Sequence, residues 1–160
     1  MKIAIDAMGG DHGPAVTLAG LSSSISIHPD LEAMVFGSED KVLPFLKKYA
    51  LLNNDRIDFV HTTEIVKMDD KPAVALRSKK DSSMRRAIDA VKNGSCGACV
   101  SAGNTGALMG IARFVLKTMP GINRPAICGT MPGIKKSTKL LDLGANVDCS
   151  SEDLLGFAIM

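Results

Sequence analysis

The stretch Ala98-Cys99-Val100-Ser101-Ala102-Gly103-Asn104-Thr105-Gly106 decides how the chain is read. Its apolar start is too short for a helix and reads as a buried strand, Ala98–Ser101. Gly103 and Gly106 permit a tight turn, and an apolar helical pattern follows from Thr105 to about Lys117. The same order occurs at the N-terminus, with strand Lys2–Asp6, a glycine-rich loop, and a helix from Pro14 to about Ile27. Proline suits a first helical position because its missing N–H would be unpaired there anyway. Between these units, Glu32–Phe36 and Arg56–His61 read as strands. Glu39–Leu51 reads as an amphipathic helix, with Pro44 in its first turn or at a kink. Pro72–Ser78 forms a short helix, and Ser82–Asn93 a longer one capped by serine and closed by Gly94. After a turn at Pro120-Gly121, Pro125–Met131 and Lys139–Leu143 read as two more strands. Strands alternating with helices predict an α/β fold with a mostly parallel sheet.

Composition narrows the function classes. The 160 residues are 46% hydrophobic and 22% charged, an ordinary globular balance that disfavours disorder. The chain has no Trp and one Tyr, which argues against stacking on nucleic-acid bases, and a net charge of +2 is too small for a general nucleic-acid binder. No apolar run approaches the roughly 18 residues that span a bilayer. The first residues, interrupted by Asp6, Gly9 and Gly10, do not form a signal peptide. A cytoplasmic protein is expected. Cys96-Gly97-Ala98-Cys99 has CxxC spacing, but no second pair or His pair accompanies it. These thiols are read as buried structural groups, and no metal is expected.

In an open α/β sheet, ligands sit beyond the carboxyl ends of the strands, and four loops belong there. Asp6-Ala7-Met8-Gly9-Gly10-Asp11-His12-Gly13-Pro14 reads either as a turn or as a loop whose backbone N–H groups approach an anion closely. Between Arg77 and Arg86, Ser82 and Ser83 start a helix amid five basic side chains. This is either a cap on a solvated face or an anion or acidic-protein site. Ser101 to Gly106 places Asn104 and Thr105 where free helix N–H groups point. It is neither a Walker loop nor a G-x-S-x-G elbow. Finally, Asn146 and Asp148 follow a strand, forming an Asx turn or orienting a ligand.

Taken together, IAIDAMGGDHGP (residues 3–14), KKDSSMRRA (79–87), CVSAGNTGALMG (99–110), INRPAI (122–127), LLDLGANVDC (140–149) and FAIM (157–160) resemble, in family order, the bacterial phosphate acyltransferases of phospholipid synthesis, the PlsX family. The resemblance implies a three-layer α/β/α fold similar to the isocitrate and isopropylmalate dehydrogenases, and a homodimer. It implies transfer of a fatty acyl group from acyl carrier protein to inorganic phosphate, without a cofactor, and a product passed to a membrane glycerol-3-phosphate acyltransferase. Peripheral contact with the membrane is compatible with that role. Family members run to roughly twice this length, and the final helix stops at Met160 without a polar tail. The chain is therefore expected to be the N-terminal half of one α/β catalytic domain.

The chemistry implied needs no protein nucleophile, since phosphate attacks the thioester and the leaving thiol is acidic, with a pKa of about 8.5. It needs preorganised N–H donors for a dianion and an oxyanion. Gly9, Gly10 and the Gly103–Thr105 turn are the expected cradle, with Ser101 and Asn104 the candidate catalytic residues. Asn104→Ala is expected to slow turnover on the order of 100-fold. Asp6, Asp11, Ser82, Ser83, Arg85, Asn146 and Asp148 are further candidate contacts to substrate, and the basic stretch Arg77 to Arg86 is a candidate for docking the acidic carrier, with Arg85 and Arg86 the residues to reverse. His12 is not favoured as a base, because phosphate is already anionic near neutral pH. A decarboxylating dehydrogenase of the same fold is disfavoured by the lack of an Arg-rich hydroxyacid site or acidic metal cluster. A non-catalytic phosphate-binding or interaction module is the alternative from another class.

Overall fold

Strand β1 (Lys2–Asp6) lies inside a four-stranded sheet between β2 (Glu32–Gly37) and β4 (Ala98–Ser101), with β3 (Ile57–His61) beyond β2. All three pairings are parallel, and the register sets Asp6 opposite both Phe36 and Ser101. This is the computed structural model of the chain, and it describes residues 1–144 and 146–160. Two compact units emerge, Met1–Leu116 and Lys117–Met160.

Side chains alternate across the sheet of the first unit and so build two apolar layers. On one face, Ile5, Ala33 and Val35 pack with Leu18, Leu21 and Ile25 of α1 (Pro14–Ile27) and Val42 and Leu46 of α2 (Glu39–Lys48). On the other, Ala4 and Phe36 meet Ala87 and Ala90 of α4 (Ser83–Lys92). Met84 and Ile88 of α4 also pack against Ala75 of α3 (Pro72–Ser78) and Ala107 and Ile111 of α5 (Thr105–Leu116). The unit is therefore a three-layer α/β/α arrangement with a parallel sheet. Each fully buried Leu, Ile or Val contributes about 1.5–3 kcal/mol, so truncating fully buried Leu18 to Ala costs about 2–5 kcal/mol.

Element ends differ from the sequence reading for local reasons. Helix α2 stops at Lys48 rather than Leu51. Ala50 turns left-handed (φ 55°), and the buried Leu51 folds back to donate its N–H to the Leu46 carbonyl at 2.8 Å. Strand β3 begins one residue late, at Ile57. The Arg56 guanidinium meanwhile serves the C-terminus of α1, donating to the carbonyls of Ile25, His28 and Pro29 at 2.9–3.1 Å.

In the Lys117–Met160 unit, β5 (Gly129–Met131) and β6 (Thr138–Leu140) form an antiparallel two-stranded sheet. The longer strands expected at Pro125–Met131 and Lys139–Leu143 are cut short because a side chain replaces the ladder. The Asp142 carboxylate accepts the N–H groups of Ile127 at 2.8 Å and Asn146 at 2.7 Å. Desolvation pulls the Asp142 pKa upward, but these donors prevail and hold it below the ordinary carboxylate range. Helix α6 (Ser151–Ile159) opens on a reciprocal cap. Ser150 Oγ accepts from the Asp153 N–H, and the Asp153 carboxylate accepts from the Ser150 N–H at 3.0 Å.

Candidate functional site

Asp6 ends β1 and is 1% exposed. Its carboxylate accepts three hydrogen bonds, each from a different part of the chain. Ser83 Oγ, at the start of α4, donates to Oδ1 at 2.6 Å, and Ser101 Oγ, at the end of β4, donates to Oδ2 at 2.6 Å. The Met8 N–H adds a third at 3.2 Å. Ser101 Oγ in turn accepts the Gly103 N–H at 3.1 Å. One buried carboxylate thus ties together the loops that follow β1 and β4 and the N-terminus of α4.

The two glycine-rich loops are pressed together backbone to backbone. A Cβ added to Gly9 would lie 2.6 Å from the Gly103 nitrogen and 2.9 Å from Asp6 Oδ2. One added to Gly103 would lie 3.4 Å from the Gly9 Cα. Gly10 has φ +83°, a left-handed conformation beside the Ala102 carbonyl. The N–H groups of Gly9 and Gly10 make no hydrogen bond among the described residues. The same holds for Thr105 and Gly106, both exposed in the first turn of α5, where N–H groups lack intrahelical partners. These donors sit at the carboxyl edge of the sheet, where a helix end also favours negative charge.

Asn104 caps α5 and is 9% exposed. Its Oδ1 accepts the Ala107 N–H at 3.0 Å, while Nδ2 donates to the carbonyls of Met68 and Asp70 at 2.9 Å and of Lys67 at 3.3 Å. Two amide hydrogens shared among three carbonyls leave none for a ligand in this arrangement. The side chain holds the segment between β3 and α3 onto the start of α5. That segment is also fixed by the Lys79–Asp70 ion pair, which holds the Asp70 carboxyl below its ordinary range, with help from the Lys67 N–H. No local spacing signals this clamp, because its partners lie 34–37 residues away.

The remaining candidates divide. Ser82 is buried and spent on capping, accepting from the Arg85 N–H at 3.3 Å and donating to the Lys79 carbonyl at 2.8 Å. Arg85 pairs with Asp89 at 3.0 Å and Arg86 with Asp81 at 3.5 Å. Asp11 and His12 are exposed on the glycine loop. Asn146 and Asp148 belong to the Lys117–Met160 unit, where Asn146 Nδ2 donates to Asp142 Oδ2 at 3.0 Å and Asp148 offers its carbonyl to Arg124 at 3.5 Å. Cys96 is buried and Cys99 half-buried, and burial is the main cause pushing the Cys99 thiol up to about 12. Cys128 and Cys149 are exposed instead. Among the described residues no group of three or more His, Cys, Asp or Glu is placed to hold a metal ion. No helix there is long and apolar enough to cross a membrane.

At the carboxyl edge of this parallel α/β domain the two glycine turns are packed backbone to backbone, and the N–H groups of Gly9, Gly10, Thr105 and Gly106 make no hydrogen bond among the described residues. The chain belongs to the family described as fatty acid synthesis protein, whose model matches residues 1–160. It is 55% identical over 161 residues to a phosphate acyltransferase of Janthinobacterium sp. (strain Marseille), covering 100% of this chain and 45% of the relative. The phosphate acyltransferase of Methylococcus capsulatus is 54% identical over 158 residues, covering 99% of this chain and 47% of the relative. That of Legionella pneumophila (strain Paris) is 52% identical over 160 residues, with 100% and 47% covered. The chain therefore spans about half the length of the curated relatives it matches.

Proposed function

We propose that this chain forms the phosphate-holding part of an acyltransferase that moves a fatty acyl group from acyl carrier protein to inorganic phosphate, giving acyl phosphate for phospholipid synthesis. The observation that carries the reading is the backbone contact between Gly9 and Gly103, closed by the Asp6 carboxylate and two serine hydroxyls. The N–H groups of Gly9, Gly10, Thr105 and Gly106 receive the phosphate and the developing oxyanion. A phosphate oxygen attacks the thioester carbonyl, the C–S bond breaks, and the thiolate leaves with its electron pair to take a proton from solvent. Fixed dipoles suit this step, since one such donor is typically worth about 2.7–4 kcal/mol of barrier.

In this mechanism Ser101 and Asn104 position the cradle rather than touch substrate, because their polar atoms are engaged within the protein. The enzyme acts in the cytoplasm as a homodimer and hands its product to a membrane glycerol-3-phosphate acyltransferase by peripheral contact. One observation favours a narrower role for these 160 residues. The side chains of Asp6, Ser83, Ser101 and Asn104 are all turned inward, which fits a domain that binds the anion while groups elsewhere complete the catalytic wall. Titration with inorganic phosphate followed by 31P NMR, with Gly9→Ala as control, addresses binding. Phosphate-dependent release of the carrier thiol, with hydroxylamine trapping of the acyl phosphate, addresses catalysis. Binding lost in Gly9→Ala, without thiol release, supports the binding-module reading. Thiol release that ignores phosphate concentration refutes acyl transfer to phosphate.

A further inference from the structure

Five cations and two carboxylates lie between residues 67 and 80, and the fold sorts them unequally. Lys79 is consumed by Asp70, and the neighbouring Arg85 and Arg86 by Asp89 and Asp81. Lys71, Arg77 and Lys80 are exposed and pair with no carboxylate among the described residues. Val74 and Arg77 follow the three-residue spacing that puts side chains on one side of a helix. Arg77 points away from the buried Ala75, Val74 is 47% exposed beside it, and Lys71 is the exposed cap residue before α3. Met68, 51% exposed, lies just before it. The result is a short strip with an apolar centre along about 10 Å of helix, where exposed Lys67, Lys71, Arg77 and Lys80 outnumber the single exposed carboxylate, Asp69.

The strip adjoins the anion cradle. A Cβ on Gly106, in the first turn of α5, would lie 3.0 Å from the Pro72 ring that starts α3. Asn104, the cap of α5, holds the carbonyls of Met68 and Asp70. We infer that the exposed surface of α3 and its flanks, with Val74 and Arg77 on the helix and Lys71 and Lys80 at its ends, is the docking surface for an acidic protein that presents the acyl group as a thioester. The inference rests on the acyl-transfer reading and shifts the contact, within the Arg77–Arg86 stretch, away from Arg85 and Arg86, whose charges are already matched, to Arg77 and Lys80, adding Lys71 before it. Charge complementarity steers such a partner, and the apolar centre supplies contact area. A lipid surface is a poorer fit, since α3 has 7 residues and the strip has no aromatic side chain to insert.

The test uses the whole chain and purified, pantetheinylated acyl carrier protein, titrated calorimetrically at about 50 and 200 mM salt. Lys71→Glu, Arg77→Glu and Lys80→Glu together should weaken binding at least about tenfold at the lower salt and flatten its salt dependence. The same reversal at Lys41, Lys47 and Lys92, exposed on other helices, should change affinity by less than about twofold. Equal losses from both sets overturn the inference, as does failure of the unaltered chain to bind the carrier. So does loss of adsorption to vesicles containing phosphatidylglycerol with carrier binding intact. Phosphate titration of the same variants separates the two ideas, because retained phosphate binding with unchanged carrier affinity removes only the docking surface.

Discussion

Replacing Asp6 by Asn tests the hinge of the site. The carboxylate, 1% exposed, accepts two hydroxyl bonds at 2.6 Å and one N–H at 3.2 Å. Bonds to a charged partner contribute about 1.5–3 kcal/mol each, against about 0.5–1.5 kcal/mol for neutral ones. Asn keeps one acceptor but turns an NH2 toward the other serine, whose hydroxyl hydrogen then has no acceptor in a buried place. Weakening one bond and reversing the other gives a loss of about 2–4 kcal/mol. At this chain length each kcal/mol lowers Tm by about 2–4 °C, so the variant should melt roughly 5–15 °C below the parent. Urea denaturation followed by circular dichroism measures it directly. Ser101→Ala should be less than additive with Asp6→Asn, with a coupling of about 1 kcal/mol or more for residues in contact. A loss below about 0.5 kcal/mol for Asp6→Asn, the range of an ordinary surface change, would refute the claim that this carboxylate closes the loops.

Other consequences are open to measurement. Asn104→Ala removes a helix cap worth about 0.5–2 kcal/mol and frees the carbonyls of Met68 and Asp70. Amide hydrogen exchange should rise in residues 67–71 and the start of α5, and unchanged protection there contradicts the clamp. Hydrogen bonds from the Thr63 hydroxyl and N–H depress the Asp81 pKa. Its stabilisation is thus fully present above the unfolded value of about 3.9 and is lost as pH falls through the lower folded value. Asp81→Asn should melt below the parent at pH about 6, with the gap closing as pH falls through the lowered folded value; a gap independent of pH rules this out. With the Cys99 thiol pushed up to about 12 and Cys128 and Cys149 exposed, a thiol reagent at pH about 8 should modify Cys128 and Cys149 first. Mass spectrometry that finds Cys99 labelled as early would argue against it.

Much of the parallel sheet was legible because each of its strands is a short apolar run bounded by glycine, proline or a polar cap. The turn at Gly103 and the loop at Gly9 also declared themselves locally. Their meeting did not, because the contact is set by Asp6 reaching Ser83 and Ser101, 77 and 95 residues away. Asn104 illustrates the same limit: its place at a helix start marks it as polar and positioned, whereas its commitment to Met68 and Asp70 depends on how α3 lies against α5. The second unit was least legible, since Asp142 ends the pairing that a run of β-forming residues would otherwise extend.

The span between Asp6 and Ser101 also has a temporal side. The chain is made from its N-terminus, at about 5–20 residues per second. The 95 residues that separate acceptor from donor therefore take roughly 5–20 s to follow. Throughout that interval the carboxylate must stay hydrated, because dehydrating it without its serines is prohibitively unfavourable. The β1–β2 pair can form on the ribosome, but its carboxyl edge stays wet and open until β4 has emerged, so the paired glycine loops are among the last features of the first unit to be completed.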